Sequence, residues 1–325
     1  MLRNKILIIF LCLITILFFA YMIICFTGKS NNNAPIAKMT IIQEEKSNYS
    51  INMKRDILCL MLAYPQYITG VESKDQKVYI IMKSGNRIIY DDQNIKRNEE
   101  KISNADLQDM MNYVYPIQDI KELMPKNNES GLFRVHTFYN EIYGETRNQI
   151  ESNLVHVKIK NKRFSFNKNN NAANSLKNVI NELIPLAQNR KDINRFVFPV
   201  SGTYSYRVVE GTNLLSSHAS GTSIDLVCSE KDYWRWVSRK DGQTRLDIYP
   251  REIVRIFEKN NFIWGGKWGD FDMMHYEYRP ELLLKSRYFS TEPKQGTPWH
   301  NGLPYSDSTV NGYIKLIDEA CYNIK

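Results

Sequence analysis

The first hydrophobic run, Ile6 to Phe26, carries no charge and is interrupted only by Thr15. At about 1.5 Å per residue such a helix reaches about 30 Å, the thickness of a bilayer's hydrocarbon core. Arg3 and Lys5 precede it, and it ends Tyr21-Met22-Ile23-Ile24-Cys25-Phe26 without a small-x-small cleavage pattern. The pattern predicts an uncleaved transmembrane anchor over residues 1–27, a cell-membrane protein of single-pass topology with its catalytic part extracytoplasmic. Residues 28–50 are polar and without a sustained period, and read as a tether.

Beyond the tether the periods change in turn. Met53 to Leu62 is apolar and helix-like and stops before Pro65. The runs 78–82 and 87–90 flank Ser84-Gly85-Asn86, which predicts a hairpin. Asn104 is expected to cap a helix carrying Leu107, Met110, Met111 and Val114, and a second helix is expected from Phe138 to Asn153. Leu154 to Phe166 alternates, with Val155, Val157 and Ile159 on one face and His156, Lys158 and Lys160 on the other. Residues 51–166 thus read as a small α+β accessory domain with no chemical motif.

The Asn/Lys stretch 167–171 reads as a solvated loop, and residues 167–290 as the main domain. Helical period returns from Ala172 to Leu186 through Leu176, Val179, Ile180 and Leu183. Residues 224–227 and 262–264 read as short strands. Between them Pro250 opens a helix that buries Ile253, Val254, Ile256 and Phe257. Residues 291–325 form a Pro/Gly-rich connection and a final helix capped near Ser308, with Val310, Tyr313, Ile314, Ile317 and Cys321 on one side.

Composition narrows the class. Hydrophobic and charged fractions of 43% and 24% are those of a folded globular chain. The formal charge of +8 suits an anionic partner, but the lysines are spread along the chain and the anchor places the domain outside, so nucleic acid is not the expected partner. A cell wall is one anionic partner; a Lys/Asn/Ile-rich bias is the plainer explanation. Cys12 and Cys25 fall in the apolar run, and Cys59, Cys228 and Cys321, odd in number, read as small core residues.

Two segments carry chemistry. The first runs from Ser216 through His218 and Gly221 to Asp225, the second from Trp264 through Gly265, Gly266, Trp268, Asp270 and Asp272 to His275 and Glu277. A catalytic zinc needs three protein ligands and one open position. A carboxylate nearby then takes the proton of the attacking water. Asp225 lies on a predicted strand, His218 sits across the Gly221 turn, and Asp272 precedes His275 closely enough to face the same cavity.

His-x6-Asp, followed about fifty residues later by Gly-Gly-x-Trp and Asp-x-x-His, resembles the zinc D-alanyl-D-alanine carboxypeptidase family over residues 195–285. It is similar in particular to the branch of L-alanyl-D-glutamate endopeptidases. The resemblance implies an α+β fold in which a small antiparallel sheet carries one Zn2+, with helices packed against it. It implies His218, Asp225 and His275 as metal ligands and Asp272 as the general base, with Asp270 and Glu277 as lesser rivals. Arg207 stands where the family has an arginine that stabilises the oxyanion, and Ser216 where it has a serine two before the first ligand. Trp268 reads as core or as a wall of the cleft, and with Ser216 is taken as substrate-binding. Ser223 and Tyr276 replace the family's usual alanine and phenylalanine without touching the ligand set.

The implied substrate is a peptidoglycan stem peptide, cut at terminal D-Ala-D-Ala or between L-Ala and D-Glu. The rival readings are a non-catalytic, zinc-containing wall-binding module and a zinc amidase acting on another extracytoplasmic substrate. His136, His156 and His300 are expected to be ordinary structural or surface histidines.

Overall fold

The computed structural model describes residues 33–322 except 127, 129, 210–212, 294, 295, 305 and 306. The chain divides into two units, residues 1–49 and 50–325. Of the first, only the helical backbone from Asn33 is described; it opens α1 (Asn33–Ala63).

In the larger unit, α1 contributes Met53, Ile57, Leu58, Leu60 and Met61 to a first apolar cluster. The antiparallel sheet β1 (Ile68–Lys74), β2 (Lys77–Met82) and β3 (Arg87–Ile89) packs there. Its alternation buries Val78, Ile80 and Met82 and leaves their neighbours partly exposed. β1 turns into β2 through Asp75 and Gln76, both at positive φ (52° and 60°), the conformation that matches the twist of a two-residue hairpin. Helix α2 (Asn98–Asn104) precedes α3 (Leu107–Met111), whose N-cap is Asp106, its carboxylate accepting the Asp109 amide at 2.8 Å. The single helix expected over 138–153 is two, α4 (His136–Tyr143) and α5 (Arg147–Ser152). Gly144, at φ 112°, breaks it, and Thr146 caps the second helix.

The hairpin β4 (Leu154–Ile159)–β5 (Lys162–Asn167) belongs to a second cluster with α6 (Ala172–Asn189) and α7 (Lys191–Val197). Helices α8 (Arg239–Asp247) and α9 (Arg251–Lys259) join it. They pack on an antiparallel sheet of β6 (Ser223–Asp225), β8 (His275–Tyr278) and β7 (Phe262–Trp264), with β8 in the middle. Ile224, Tyr276 and Trp264 lie side by side across it and are wholly buried, with Phe257 of α9 stacked 3.8 Å from Tyr276. One face of this sheet is therefore core, and the other is free to carry polar chemistry. Helices α10 (Pro280–Tyr288) and α11 (Ser308–Cys321) return to the first cluster, α11 against β1 with Val310, Ile317 and Cys321 buried. The architecture is α+β with small antiparallel sheets, as expected.

Other expectations need correction. The predicted span over residues 6–26 lies outside the described residues. Among the described residues no helix is long and apolar enough to cross a membrane. The long helix that is described, α1, has charged residues from Lys38 to Asp56 in its sequence. That finding contradicts the single-pass cell-membrane placement with its extracytoplasmic catalytic part, and the membrane as partner is not shown. The same helix begins inside the stretch read as a tether. Cys59 and Cys321 are buried, but Cys228 is exposed. Asn167, read as part of a solvated loop, is wholly buried and ties β5 to the turn at Gly221.

Candidate metal centre

Register places the first two candidate ligands. Asp225 of β6 pairs directly with His275 of β8, and Ser223 with Glu277. Directly opposed residues share a face, and residues two apart share it too. Asp225, His275 and Glu277 therefore stand on the side of the sheet away from Ile224 and Tyr276.

The third comes from a turn. His218 is 4% exposed in the tight turn that leads into β6, closed by the Gly221 amide on the His218 carbonyl at 3.0 Å. Gly221 has φ 68°, and a Cβ there would meet the Leu154 side chain at 2.7 Å, so glycine is needed for both conformation and space. Asn167 secures this turn from outside. Its amide donates to the Gly221 carbonyl at 2.8 Å and its Nδ2 to the Ser220 carbonyl at 3.0 Å.

His218 Nε2, His275 Nδ1 and the Asp225 carboxylate converge. The two imidazole nitrogens are 3.1 Å apart, His275 Nδ1 is 3.0 Å from Asp225 Oδ1, and His218 Nε2 is 3.2 Å from Asp225 Oδ2. A tetrahedron with arms of about 2.0–2.1 Å has edges of roughly 3.3 Å, so one zinc-sized ion fits this donor set. His218 Nδ1 lies 2.5 Å from the Thr203 carbonyl. Donation of its proton there leaves the Nε2 lone pair for a metal. Burial opposes charge on His275, yet the hydrogen bond to Asp225 and the nearby Glu277 carboxylate lift it to about 10. Burial likewise opposes charge on Asp225, but His218 and His275 hold its carboxyl far below the usual range. The cluster thus concentrates protons that a divalent cation would displace.

Asp272 lies one turn ahead of His275, whose amide donates to the Asp272 carbonyl at 3.3 Å. Its own amide donates to Gly265 at 3.0 Å, and a Cβ on Gly265 would sit 2.5 Å from the Asp272 carbonyl oxygen. Nothing larger than glycine permits this approach. Burial pushes the Asp272 carboxyl up to about 7; His275 opposes the shift, and Asp225 and Asp232 add to it. Its Oδ1 is buried with no protein hydrogen-bond partner among the described residues. A buried carboxyl oxygen without a partner is uncommon in a folded protein.

The two rivals fare differently. Glu277 is buried, but Arg134 holds its carboxylate far below the usual range against the effect of burial, so it is a weak proton acceptor. Asp270 is raised by burial and faces Lys126, Arg235 and Arg239 instead of the ligands.

Ser216 is buried and its Oγ accepts the His218 amide at 3.3 Å, so it shapes the ligand turn. Arg207 is exposed, and its carbonyl accepts the Ser216 amide at 3.0 Å. Trp268 is 4% exposed and packs 5.4 Å from the His275 ring, with Gly131 against its indole. It lies among the core residues of the first cluster. His136, His156 and His300 take no part in the ligand group. Asp91, Asp92 and Asp106 also gather, but the Lys96 ammonium reaches Asp92 and Asp106 at 2.8 and 2.9 Å. Sequence reasoning missed Thr203, whose carbonyl fixes the His218 tautomer; a backbone acceptor leaves no residue-type signal.

Residues 210–278 match the model of the D-alanyl-D-alanine carboxypeptidase family, about a fifth of the chain. That family is one of zinc-dependent peptidases, and the matched segment contains all three converging ligands together with Asp272. No curated protein and no solved structure matches the chain.

Proposed function

We propose, from the premise that residues 210–278 are a D-alanyl-D-alanine carboxypeptidase-family segment, that this chain hydrolyses peptide bonds of peptidoglycan stem peptides with one zinc ion. The observation that carries the reading is the convergence of His218 Nε2, His275 Nδ1 and Asp225 to within 3.0–3.2 Å. Bound there, zinc would supply Lewis acidity and lower the pKa of a coordinated water.

The chain's own groups do the remainder. Asp272, with a pKa near neutrality and a carboxyl oxygen lacking a protein partner, accepts the proton of the attacking water and returns it to the leaving amine. Arg207, exposed and on the segment hydrogen-bonded to Ser216, is assigned to the developing oxyanion. Ser216 and Trp268 act by holding the ligand turn and the His275 ring in place. The scissile bond is the terminal D-Ala-D-Ala bond or the L-Ala-D-Glu bond.

The test is digestion of purified stem peptides and intact wall by the protein, with and without chelator, followed by mass spectrometry. A new D-Ala terminus or a new D-Glu amino terminus identifies the bond. An intact substrate with zinc-loaded protein refutes the proposal.

A further inference from the structure

Two residues beyond His275, on the same face of β8, stands a second carboxylate. Glu277 is 2% exposed, and its Oε2 is 4.0 Å from His275 Nε2, the ring nitrogen opposite the one that meets Asp225. That separation is longer than a hydrogen bond, but it is a close charge contact in a buried setting.

An isolated carboxylate at this depth would be costly, and it is not isolated. Arg134 grips it with both arms of its fork, Nε to Oε1 at 2.9 Å and Nη2 to Oε2. Arg134 is itself fixed by donating Nη1 to the Leu132 carbonyl at 3.0 Å. On the other side Arg279, wholly buried, approaches Glu277 at 3.7 Å and donates to Glu281 at 2.5 Å. Glu281 also accepts the hydroxyls of Tyr64 (2.6 Å) and Tyr139 (3.0 Å). The result is an alternating row of charges that starts beside His275 and ends in the helices of the first apolar cluster. A buried ionic row of this kind is seldom the most stable way to fill a core.

We infer that Glu277 and Arg134 are positioning residues for the metal ligand His275. Glu277 attracts the proton of that imidazole to Nε2, which leaves the Nδ1 lone pair directed at the ion beside Asp225. Arg134 fixes the orientation in which Glu277 does so. Carboxylate partners behind a ligating histidine act in this way, and their loss typically lowers metal affinity about 10–100-fold. The inference rests on the metal-centre reading above. It adds that the segment around Arg134, 143 residues from Glu277 and outside the family-matched region, is part of that centre.

The experiment uses the full chain, zinc titration against a chromophoric chelator, and the visible spectrum of the cobalt-loaded protein. Near-UV circular dichroism of the metal-free form reports folding. Glu277→Gln, which keeps the volume, is expected to bind zinc about 10–100-fold more weakly and to shift the cobalt bands, with an unchanged dichroism spectrum. Arg134→Lys, which keeps the charge but loses the fork, is expected to show a smaller loss in the same direction. A folded Glu277→Gln protein with parental zinc affinity and parental cobalt spectrum overturns the inference. If that variant does not fold, Arg134→Lys decides: folded and indistinguishable from the parent, it also overturns it. A parent chain that binds no metal overturns the metal-centre reading itself, which the unsubstituted control shows separately.

Discussion

Replacing Asp272 with Asn separates two effects of burying that carboxyl group. Burial, opposed by His275 and reinforced by Asp225 and Asp232, lifts it to about 7 in the metal-free fold. An unperturbed Asp titrates near 3.9. Between those values the folded chain holds a proton that the unfolded chain has released, so stability falls as pH rises through the window. Three units at about 1.36 kcal/mol each give about 4 kcal/mol. Coupling to His275 and Asp225 spreads the titration, so about 2–4 kcal/mol is the expected penalty above pH 7. The Asn variant has nothing to titrate. Without metal it should melt with the parent near pH 4 and progressively above it as the pH approaches 7. With zinc the gap should shrink, because a nearby dication favours the charged carboxylate. Cleavage should fall about 10²–10⁴-fold while zinc stays bound one-to-one. The assays are calorimetry over a pH series with chelator, and peptide cleavage with metal analysis. A melting difference independent of pH, or cleavage within tenfold of the parent, would refute the reasoning.

Three further outcomes follow from the geometry. His275→Ala and Asp225→Asn should each abolish stoichiometric zinc binding, read by atomic emission after dialysis, because each removes one of three converging donors. Zinc affinity itself should fall as pH drops, since the His275–Asp225 cluster must release protons to take a cation; proton uptake on chelation in weak buffer measures this. Gly265→Ala should lower cleavage at least tenfold with zinc still bound, because the new Cβ collides with the Asp272 carbonyl and displaces the proposed base without touching a ligand.

The candidate ligand group of His218, Asp225 and His275 was legible in the sequence because its spacing reflects backbone geometry. The seven-residue step from His218 to Asp225 spans one tight turn and the whole of β6. Asp272 and His275 span one turn and the start of its partner. Helix α6 was legible because Leu176, Val179, Ile180 and Leu183 repeat on one side and are all buried. Strand β1 was missed because Asp75-Gln76 makes its hairpin without the glycine that usually marks one. The helix expected across 138–153 failed at Gly144, whose positive φ ends α4 while the flanking apolar pattern continues. Arg134 had no local signal, since its partner is set by tertiary packing. The polar stretch after residue 33 was read as a linker for want of an apolar period, but a helix requires none.

The strands that carry two of the three ligands are only three and four residues long, and short strands have few hydrogen bonds to fix their alignment. A slip by one residue would turn Asp225 into the apolar layer and bring Ile224 to the wet side. Only one alignment can satisfy a cation, so the ion would act as a rivet through the sheet, and metal uptake would report on whether the two strands have found each other correctly.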